Sequence, residues 1–229
     1  MKLGVQAGLF ARMILAFAGV SVVLYQYPQG MLVILRPFVQ LVTAWSCPYL
    51  GQIEMAMDGR MIEVTGMIQV AMTMSDGSMV PEVSGSWEKQ VDATLHLMVI
   101  AFTVFVAPAL TWRRRLRALP ITVLAVLLVC SFQLAMEIQA TALKVIGESW
   151  LQTLSLAMNE ANQAYFQSME SWYHGVLWIQ SILNGGGALF LAVLAGFIGP
   201  IVQGSTYLPD PSNPDDARLG GLEKPAGNR

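Results

Sequence analysis

Four stretches of this chain are long, apolar and nearly free of charge, and they restrict its possible folds more than any other feature does. They cover residues 4–25, 91–112, 119–139 and 176–202. A helix of about 20 apolar residues crosses the hydrocarbon core of a bilayer. Only 12% of the residues are charged, about half of the roughly 25% usual for soluble domains. We therefore expect a mainly α-helical integral membrane protein with about four transmembrane helices.

A fifth apolar segment, residues 31–46, differs from these four because Arg36 and Pro37 stand in its middle. Arginine is costly in hydrocarbon, and proline interrupts the hydrogen bonds of a helix. The segment is also short for a crossing. We expect an interfacial or re-entrant helix here, and a further crossing is the alternative.

An arginine cluster follows the second apolar run and consists of Arg113, Arg114, Arg115 and Arg117. Basic residues that flank transmembrane helices stay predominantly on the cytoplasmic side. If this cluster is cytoplasmic and residues 31–46 do not cross, nine of the thirteen basic residues lie in the cytoplasm or in the inner half of a span. We expect a multi-pass protein of the bacterial cytoplasmic (inner) membrane with both termini cytoplasmic.

Two polar segments are then extracytoplasmic. In residues 51–90, apolar and polar side chains alternate from Ile62 to Thr73, which is typical of a strand. The pairs Asp58-Gly59 and Asp76-Gly77 are typical of hairpin turns. This segment predicts a small antiparallel β element.

The second polar segment carries apolar side chains on one helical stripe that includes Leu151, Tyr165 and Trp172. That spacing predicts an extracytoplasmic amphipathic helix over residues 148–175. Residues 204–229 are rich in proline, glycine and aspartate, which favours a disordered cytoplasmic tail. The predicted regions are therefore 1–50 (first span and interfacial or re-entrant helix), 51–90 (β element), 91–147 (second and third spans), 148–175 (amphipathic helix), 176–203 (last span) and 204–229 (tail).

Methionines are concentrated in the predicted β element. Met55 and Met57, and likewise Met72 and Met74, are spaced to share one face of a strand. Thioethers are soft ligands that bind Cu(I), so these four residues are a candidate copper site. Methionine also fills apolar surfaces without any metal. Because no histidine or cysteine occurs from residue 48 to 95, we favour packing and expect no cofactor.

Cys47, His96 and His174 are the candidates for nucleophilic catalysis, because all three are predicted near the outer membrane surface. A cysteine activated by histidine is the nucleophile of thiol proteases and transpeptidases. No local motif accompanies these residues. We therefore favour interfacial histidines and a small buried cysteine, and expect no enzymatic activity.

The last apolar run carries small residues at a spacing that aligns them along a helix. Such stripes let two helices approach closely, so we expect this face to pack on another helix of this chain or of a partner. Its members are Gly185, Gly186, Gly187, Ala188, Ala192 and Gly196.

In its layout the chain resembles the small membrane proteins encoded beside bacterial exosortases, in particular the exosortase H-associated type. The resemblance is carried by the segments LRPFVQLVTAW, IEMAMDGRMIEV and APALTWRRRLRALP, in that order, between an N-terminal and a final span. It implies an accessory role beside an extracytoplasmic protein-sorting transpeptidase, and it transfers no catalytic residue. Small membrane proteins of conjugative elements have a similar architecture and are an alternative.

These observations favour a non-enzymatic accessory or scaffold subunit with an extracytoplasmic docking surface. Its expected partners are the lipid bilayer and other membrane or envelope subunits. The net charge of −2 disfavours nucleic acid as a partner. A Cu(I)-handling protein, a conjugative-element protein and a membrane cysteine transpeptidase or protease are the alternative functions.

Overall fold

The computed structural model describes residues 2–58, 61–68, 77–79, 83–107, 112–157 and 160–202. Of these residues 81% are helical, and the rest include one small antiparallel sheet. The elements are α1 (Lys2–Gln26), α2 (Pro28–Ser46), β1 (Leu50–Asp58), β2 (Met61–Ile68), β3 (Val83–Gln90), α3 (Asp92–Val106), α4 (Trp112–Ala157), α5 (Glu160–Ile182), a π-helical turn (Leu183–Gly187) and α6 (Ala188–Val202). The prediction of a mainly helical chain with a small antiparallel sheet is confirmed.

Three helical segments within the described ranges are long and apolar enough to cross a membrane: Gly8–Gln26, Arg113–Ala142 and Asn162–Val202. The second predicted span corresponds to α3, which is apolar but only 15 residues long. At 1.5 Å per residue, α3 extends about 22 Å, which is less than the hydrocarbon thickness.

Helix α2 is continuous through Pro37, although proline removes one helical hydrogen bond. Leu35 and Val39 are completely buried, whereas Trp45 is 84% exposed and Leu41 67% exposed. The helix therefore has one apolar face packed inside the fold and another left uncovered. It does not reach the apolarity of the three candidate spans.

The sheet has the strand order β1-β2-β3, and both pairings are antiparallel. Asp58 pairs with Met61 at the end of the β1-β2 ladder, and Gly59 of the predicted Asp-Gly turn lies outside the described residues. Gly66 in β2 lies under the ring of Trp87 in β3, whose side chain is 5% exposed. A Cβ at position 66 would lie 2.8 Å from the Trp87 ring. Glycine is therefore required here by packing.

The predicted amphipathic helix 148–175 is divided differently in the structure. Its first ten residues continue α4, which is 46 residues long, and its last sixteen belong to α5. The predicted break near residue 147 does not form because Gly147 alone interrupts a run of good helix formers. The predicted start of the last span at residue 176 lies within α5, and a kink at Gly186, whose φ is 109°, separates α5 from α6.

The chain forms two compact units. One comprises residues 1–26, 96–126 and 190–229, and the other comprises residues 27–95 and 127–189. We call the first the basic unit because of its charge, and the second the sheet unit because it contains the sheet. The described residues of the basic unit include six basic and no acidic side chains. Those of the sheet unit include nine acidic and three basic side chains.

Candidate functional site

The C-terminal end of α2 is held by two helices of the sheet unit. The amide of Gln139 in α4 donates to Ser46 Oγ over 2.6 Å, and the Trp172 indole in α5 donates to the Ser46 carbonyl over 2.8 Å. The last carbonyls of a helix lack partners within that helix. The Trp172 indole of α5 is such a partner for the Ser46 carbonyl, so it fixes the end of α2.

Tyr49 extends this contact beyond the end of α2. Its hydroxyl lies 2.9 Å from Ser168 Oγ. Its ring meets the rings of Tyr165 and Trp172 edge-to-face, with centroids 5.5 and 5.4 Å away. Such aromatic pairs contribute about 0.5–1.5 kcal/mol beyond their buried area. The described part of the predicted apolar stripe, Tyr165 and Trp172, therefore packs on the segment that joins α2 to β1.

A buried carboxylate joins the sheet to α4. Glu137 is 6% exposed, and its carboxylate accepts a hydrogen bond from Gln133 over 2.8 Å. The Lys89 ammonium of β3 lies 3.2 Å from the other carboxylate oxygen. Gln133 in turn accepts a hydrogen bond from Thr94 in α3 over 3.1 Å. This chain of polar contacts holds β3 and the start of α3 against α4.

A cleft of about 670 Å³ lies between α2 and β1. Arg36, Gln40 and Thr43 of α2 line it, spaced to share one helical face, together with Cys47 directly after the helix. Across the cleft, β1 contributes Glu54. Arg36 and Glu54 are both exposed, and neither has an ion-pair partner among the described residues. The cleft therefore carries opposite charges on its two walls.

Strand β1 is an edge of the sheet, and its free side faces this cleft. The Gln40 amide donates to the Ile53 carbonyl over 3.0 Å, so the backbone of Ile53 points away from β2. In an antiparallel pair this orientation alternates, so the backbone groups of Met55, a residue that is 5% exposed, also point away from β2. Unpaired edge groups of this kind accept a further strand.

The Cys47 thiol is buried at the closed end of α2. Burial raises its pKa to about 11, against the smaller lowering effect of hydrogen bonds from the backbone amides of Tyr49 and Leu50. A thiol with this pKa is almost fully protonated at neutral pH and is a weak nucleophile. The environment of Cys47 is therefore that of a structural cysteine.

The two histidines each have a separate partner. His96 is in the basic unit, where its Nε2 lies 2.9 Å from the Tyr25 hydroxyl. His174 is exposed on α5, with its Nε2 3.9 Å from a carboxylate oxygen of Glu170. Neither histidine is among the groups that affect the Cys47 pKa. The described contacts thus provide no general base for Cys47.

Of the four methionine candidates, Met55 and Met57 lie in β1. Met55 is 5% exposed and belongs to the packed face of the sheet. Met57 pairs with Ile62 through the backbone, while Met72 and Met74 lie outside the described residues. No group of three or more His, Cys, Asp or Glu side chains that could hold a metal is found in the part of the chain that the structure describes.

The small-residue stripe divides between open and packed positions. Gly185 and Gly186 meet no neighbouring atoms, and Gly186 has a positive φ of 109° within the π-helical turn. Gly196 lies against the Ala101 carbonyl and the side chain of Val104 in α3. Close helix packing is thus found at Gly196. Of the other stripe members, Gly187 lies against Ile182, and Ala188 and Ala192 are buried.

The predicted cytoplasmic cluster occupies the first two turns of α4. Arg115 donates to the carbonyl of Val106, the last residue of α3, over 3.1 Å. Arg113 and Arg117 are exposed, and Arg114 is half-buried. The predicted tail, 204–229, lies outside the described residues.

No family model matches this sequence, and the comparisons with curated proteins and with solved structures gave no significant match.

The sequence did not predict the contacts of Ser46, Tyr49 and Lys89. One signal was present for Lys89, since a glutamate in an apolar run needs a cationic or hydrogen-bonding partner. The contacts of Ser46 and Tyr49 join residues more than 90 positions apart, and no local pattern encodes them.

Proposed function

We propose that this chain is a multi-pass protein of the bacterial cytoplasmic membrane, crossing it through α1, residues 91–112, α4 and the segment around α6. The segment α2 lies in the interface, since Leu41 and Trp45 are exposed on it. The arginine cluster in the first two turns of α4 supports this orientation. Basic residues that flank transmembrane helices stay predominantly on the cytoplasmic side.

Its function, in this proposal, is that of a non-enzymatic accessory subunit which docks an extracytoplasmic partner through the sheet unit. The observation that carries it is the free edge of β1 beside the charged cleft. The ion pair of Lys89 and Glu137 holds the sheet on α4. The contact of Tyr49 with Trp172 holds the segment before β1 on α5. A fixed sheet with an edge strand such as β1 binds an added strand without first having to fold.

The partner proposed for this surface is another membrane or envelope protein. The resemblance to exosortase-associated proteins suggests a protein-sorting system, in which the chain has an accessory role. The buried, protonated Cys47 thiol supports a role without catalysis by this chain.

Site-specific photo-cross-linking in native membranes tests the docking edge. A photoreactive amino acid at Ala56 of β1 is expected to cross-link to one envelope protein. Glu88 of β3 is the matched control, because the register places it on the same face of the sheet at the opposite edge. Cross-links from Glu88 with none from Ala56 would exclude β1 as the docking edge, and none from either would argue against the function.

Cysteine labelling in whole cells tests the orientation separately. In a background with both native cysteines replaced by alanine, an impermeant maleimide is expected to label Ser84→Cys, which is exposed on β3. It is expected to spare Ser205→Cys until the membrane is opened. The reverse pattern would place the sheet unit in the cytoplasm.

A further inference from the structure

The cleft between α2 and β1 is closed at one end, where a short segment joins these two elements. The Gln40 amide reaches the Ile53 carbonyl, so α2 and β1 lie side by side. Arg36 is one helical turn before Gln40, and Glu54 follows Ile53, so both charged residues lie towards the open end. Thr43 lies between Gln40 and the closed end. The cleft is therefore charged at its open end and lined by uncharged residues where it is closed.

Thr43 contributes an unpaired hydroxyl to this cleft. The residue is 1% exposed, and its Oγ1 has no hydrogen-bond partner within the described ranges. The hydroxyls of Ser46 and Thr141, by contrast, bond to the carbonyl four residues earlier in their helices. Among the described residues that line the cleft, Thr43 alone has an unpaired buried side-chain oxygen or nitrogen. Since an unpaired buried hydroxyl costs free energy, a ligand that hydrogen-bonds to it gains affinity.

The dimensions of the cleft fit an extended peptide. Arg36 and Cys47 are the outermost lining residues on its α2 side, about 16 Å apart along the chain at 1.5 Å per helical residue. At about 3.3 Å per extended residue, a strand of about five residues covers this length. The volume of about 670 Å³ is within the roughly 300–1,000 Å³ of ligand-binding clefts.

The charges at the open end restrict the sequence of that peptide. Arg36 and Glu54 are both exposed, so each can contact a bound segment. A segment with charges of one sign would be repelled by one of the two walls, whereas a segment with both signs is attracted by both.

We propose that the strand docked at β1 is a segment of about five residues with a specific polar pattern. It carries an acidic side chain that pairs with Arg36 and a basic side chain that pairs with Glu54. Towards the closed end it carries a serine, threonine or asparagine that hydrogen-bonds to Thr43. The inference rests on the proposed function and specifies the partner sequence that this function requires.

Thr43→Val tests the hydroxyl without any partner. Valine keeps the shape of threonine and removes the unpaired oxygen, so the thermal midpoint of the detergent-purified full chain is expected to match or exceed that of the unmodified chain. A lower midpoint would overturn the site, because the hydroxyl would then have a partner within the chain itself.

Photo-cross-linking from Ala56 in native membranes tests the contacts with the partner. Arg36→Glu and Glu54→Lys are each expected to lower the cross-link yield about tenfold, because an attractive pair becomes a repulsive one. Thr43→Val is expected to lower it about fivefold through the loss of one hydrogen bond. A yield that none of the three variants changes would overturn the inference.

The matched controls are Glu88→Lys and Thr141→Val. Glu88 is exposed on β3, at the opposite edge of the sheet from β1. The Thr141 hydroxyl is bonded within α4. Neither control is expected to change the yield from Ala56, and an equal fall in the controls and the cleft variants would overturn the site.

Mass spectrometry of the cross-linked peptide identifies the partner segment. An acidic and a basic residue are both expected within about five residues of the link. Reversal of that basic residue in the partner is expected to restore cross-linking to Glu54→Lys. A linked segment with charges of one sign would overturn the inference and leave the docking function standing, whereas no cross-link from Ala56 at all would overturn the docking function as well.

Discussion

Lys89 on β3 and Glu137 on α4 form an ion pair of 3.2 Å in which the carboxylate is almost completely buried and the ammonium is partly exposed. The two residues are 48 positions apart, and their contact fixes the sheet on a helix. Substitution of Lys89 and substitution of Glu137 leave different groups without an ionic partner. Removal of lysine leaves a buried charge, whereas neutralisation of glutamate leaves a cation that can reach water.

The ion pair therefore predicts an asymmetry between its two variants. Lys89→Met is expected to lower the free energy of unfolding by roughly 2–3 kcal/mol, less than for a fully buried pair because Lys89 is partly exposed. Glu137→Gln is expected to cost less. Thermal unfolding in detergent measures both, with Lys144→Met, at an exposed position of α4, as the control. If Lys89→Met matched this control, the ion pair would not hold the sheet.

The contact of Gly66 with Trp87 predicts a second effect on stability. Gly66→Ala places a Cβ against a buried ring, so it is expected to destabilise the fold by about 1–3 kcal/mol. Gly30→Ala is the control because no atom lies near that position. The free energy of unfolding in denaturant measures the difference. Equal stability of the two variants would show that the Trp87 ring shifts at little cost.

The Cys47 thiol is expected to react slowly with alkylating reagents. Its pKa of about 11 is raised from 9.0, and two pKa units lower the thiolate fraction about 100-fold at pH 8. Mass spectrometry of a Cys130→Ala variant measures the rate, and the detergent-denatured chain is the reference. Rapid alkylation in the folded chain would indicate an activated thiol and support the cysteine-enzyme alternative.

The same pKa predicts a loss of stability in alkali. The folded chain holds the thiol proton more tightly than the unfolded chain, so this contribution is fully present below about pH 9 and is lost as the pH rises towards 11. Thermal unfolding across this range is expected to show a steeper decline for the unmodified chain than for Cys47→Ala. Parallel declines would contradict the raised pKa.

Close packing between α6 and α3 predicts that Gly196→Val is disruptive. The new side chain would overlap the Ala101 carbonyl and Val104, with a cost of about 1–3 kcal/mol. Gly8→Val, at a position with no neighbouring atom, is the control. Thermal unfolding in detergent compares the two variants. A stable Gly196→Val chain would show that the two helices separate easily.

Local pattern predicted the elements of this fold better than their ends. The alternation around Ile62 placed the β element, because period two is a property of the strand itself. The ends of α4 and α5 were misplaced because helix length depends on packing, and α4 continues past the predicted span without a breaking residue. The contacts of Ser46 and Tyr49 depend on tertiary structure, so no pattern within the chain could reveal them.

The candidate site residues likewise differ in whether local pattern or tertiary structure determines their environment. The burial of Cys47 and Met55 follows from small or apolar side chains next to the sheet, and composition favoured this interpretation. The cleft was not predicted, because its walls come from Gln40 and neighbouring residues of α2 and from the edge of β1. The register shift near the start of β1, between Leu50 and Ile53, includes Gly51, and a glycine within a strand often marks such an irregularity.

The Gln40 amide has a consequence for any strand that joins β1. It already satisfies the Ile53 carbonyl, so an incoming chain exchanges one hydrogen bond for another at that position and gains little free energy from it. Discrimination between partners then depends on the side chains that reach Arg36 and Glu54. In the proposed docking the Gln40 amide thus competes with the incoming backbone at Ile53, and charges that match Arg36 and Glu54 contribute more to the choice of partner than pairing at that position.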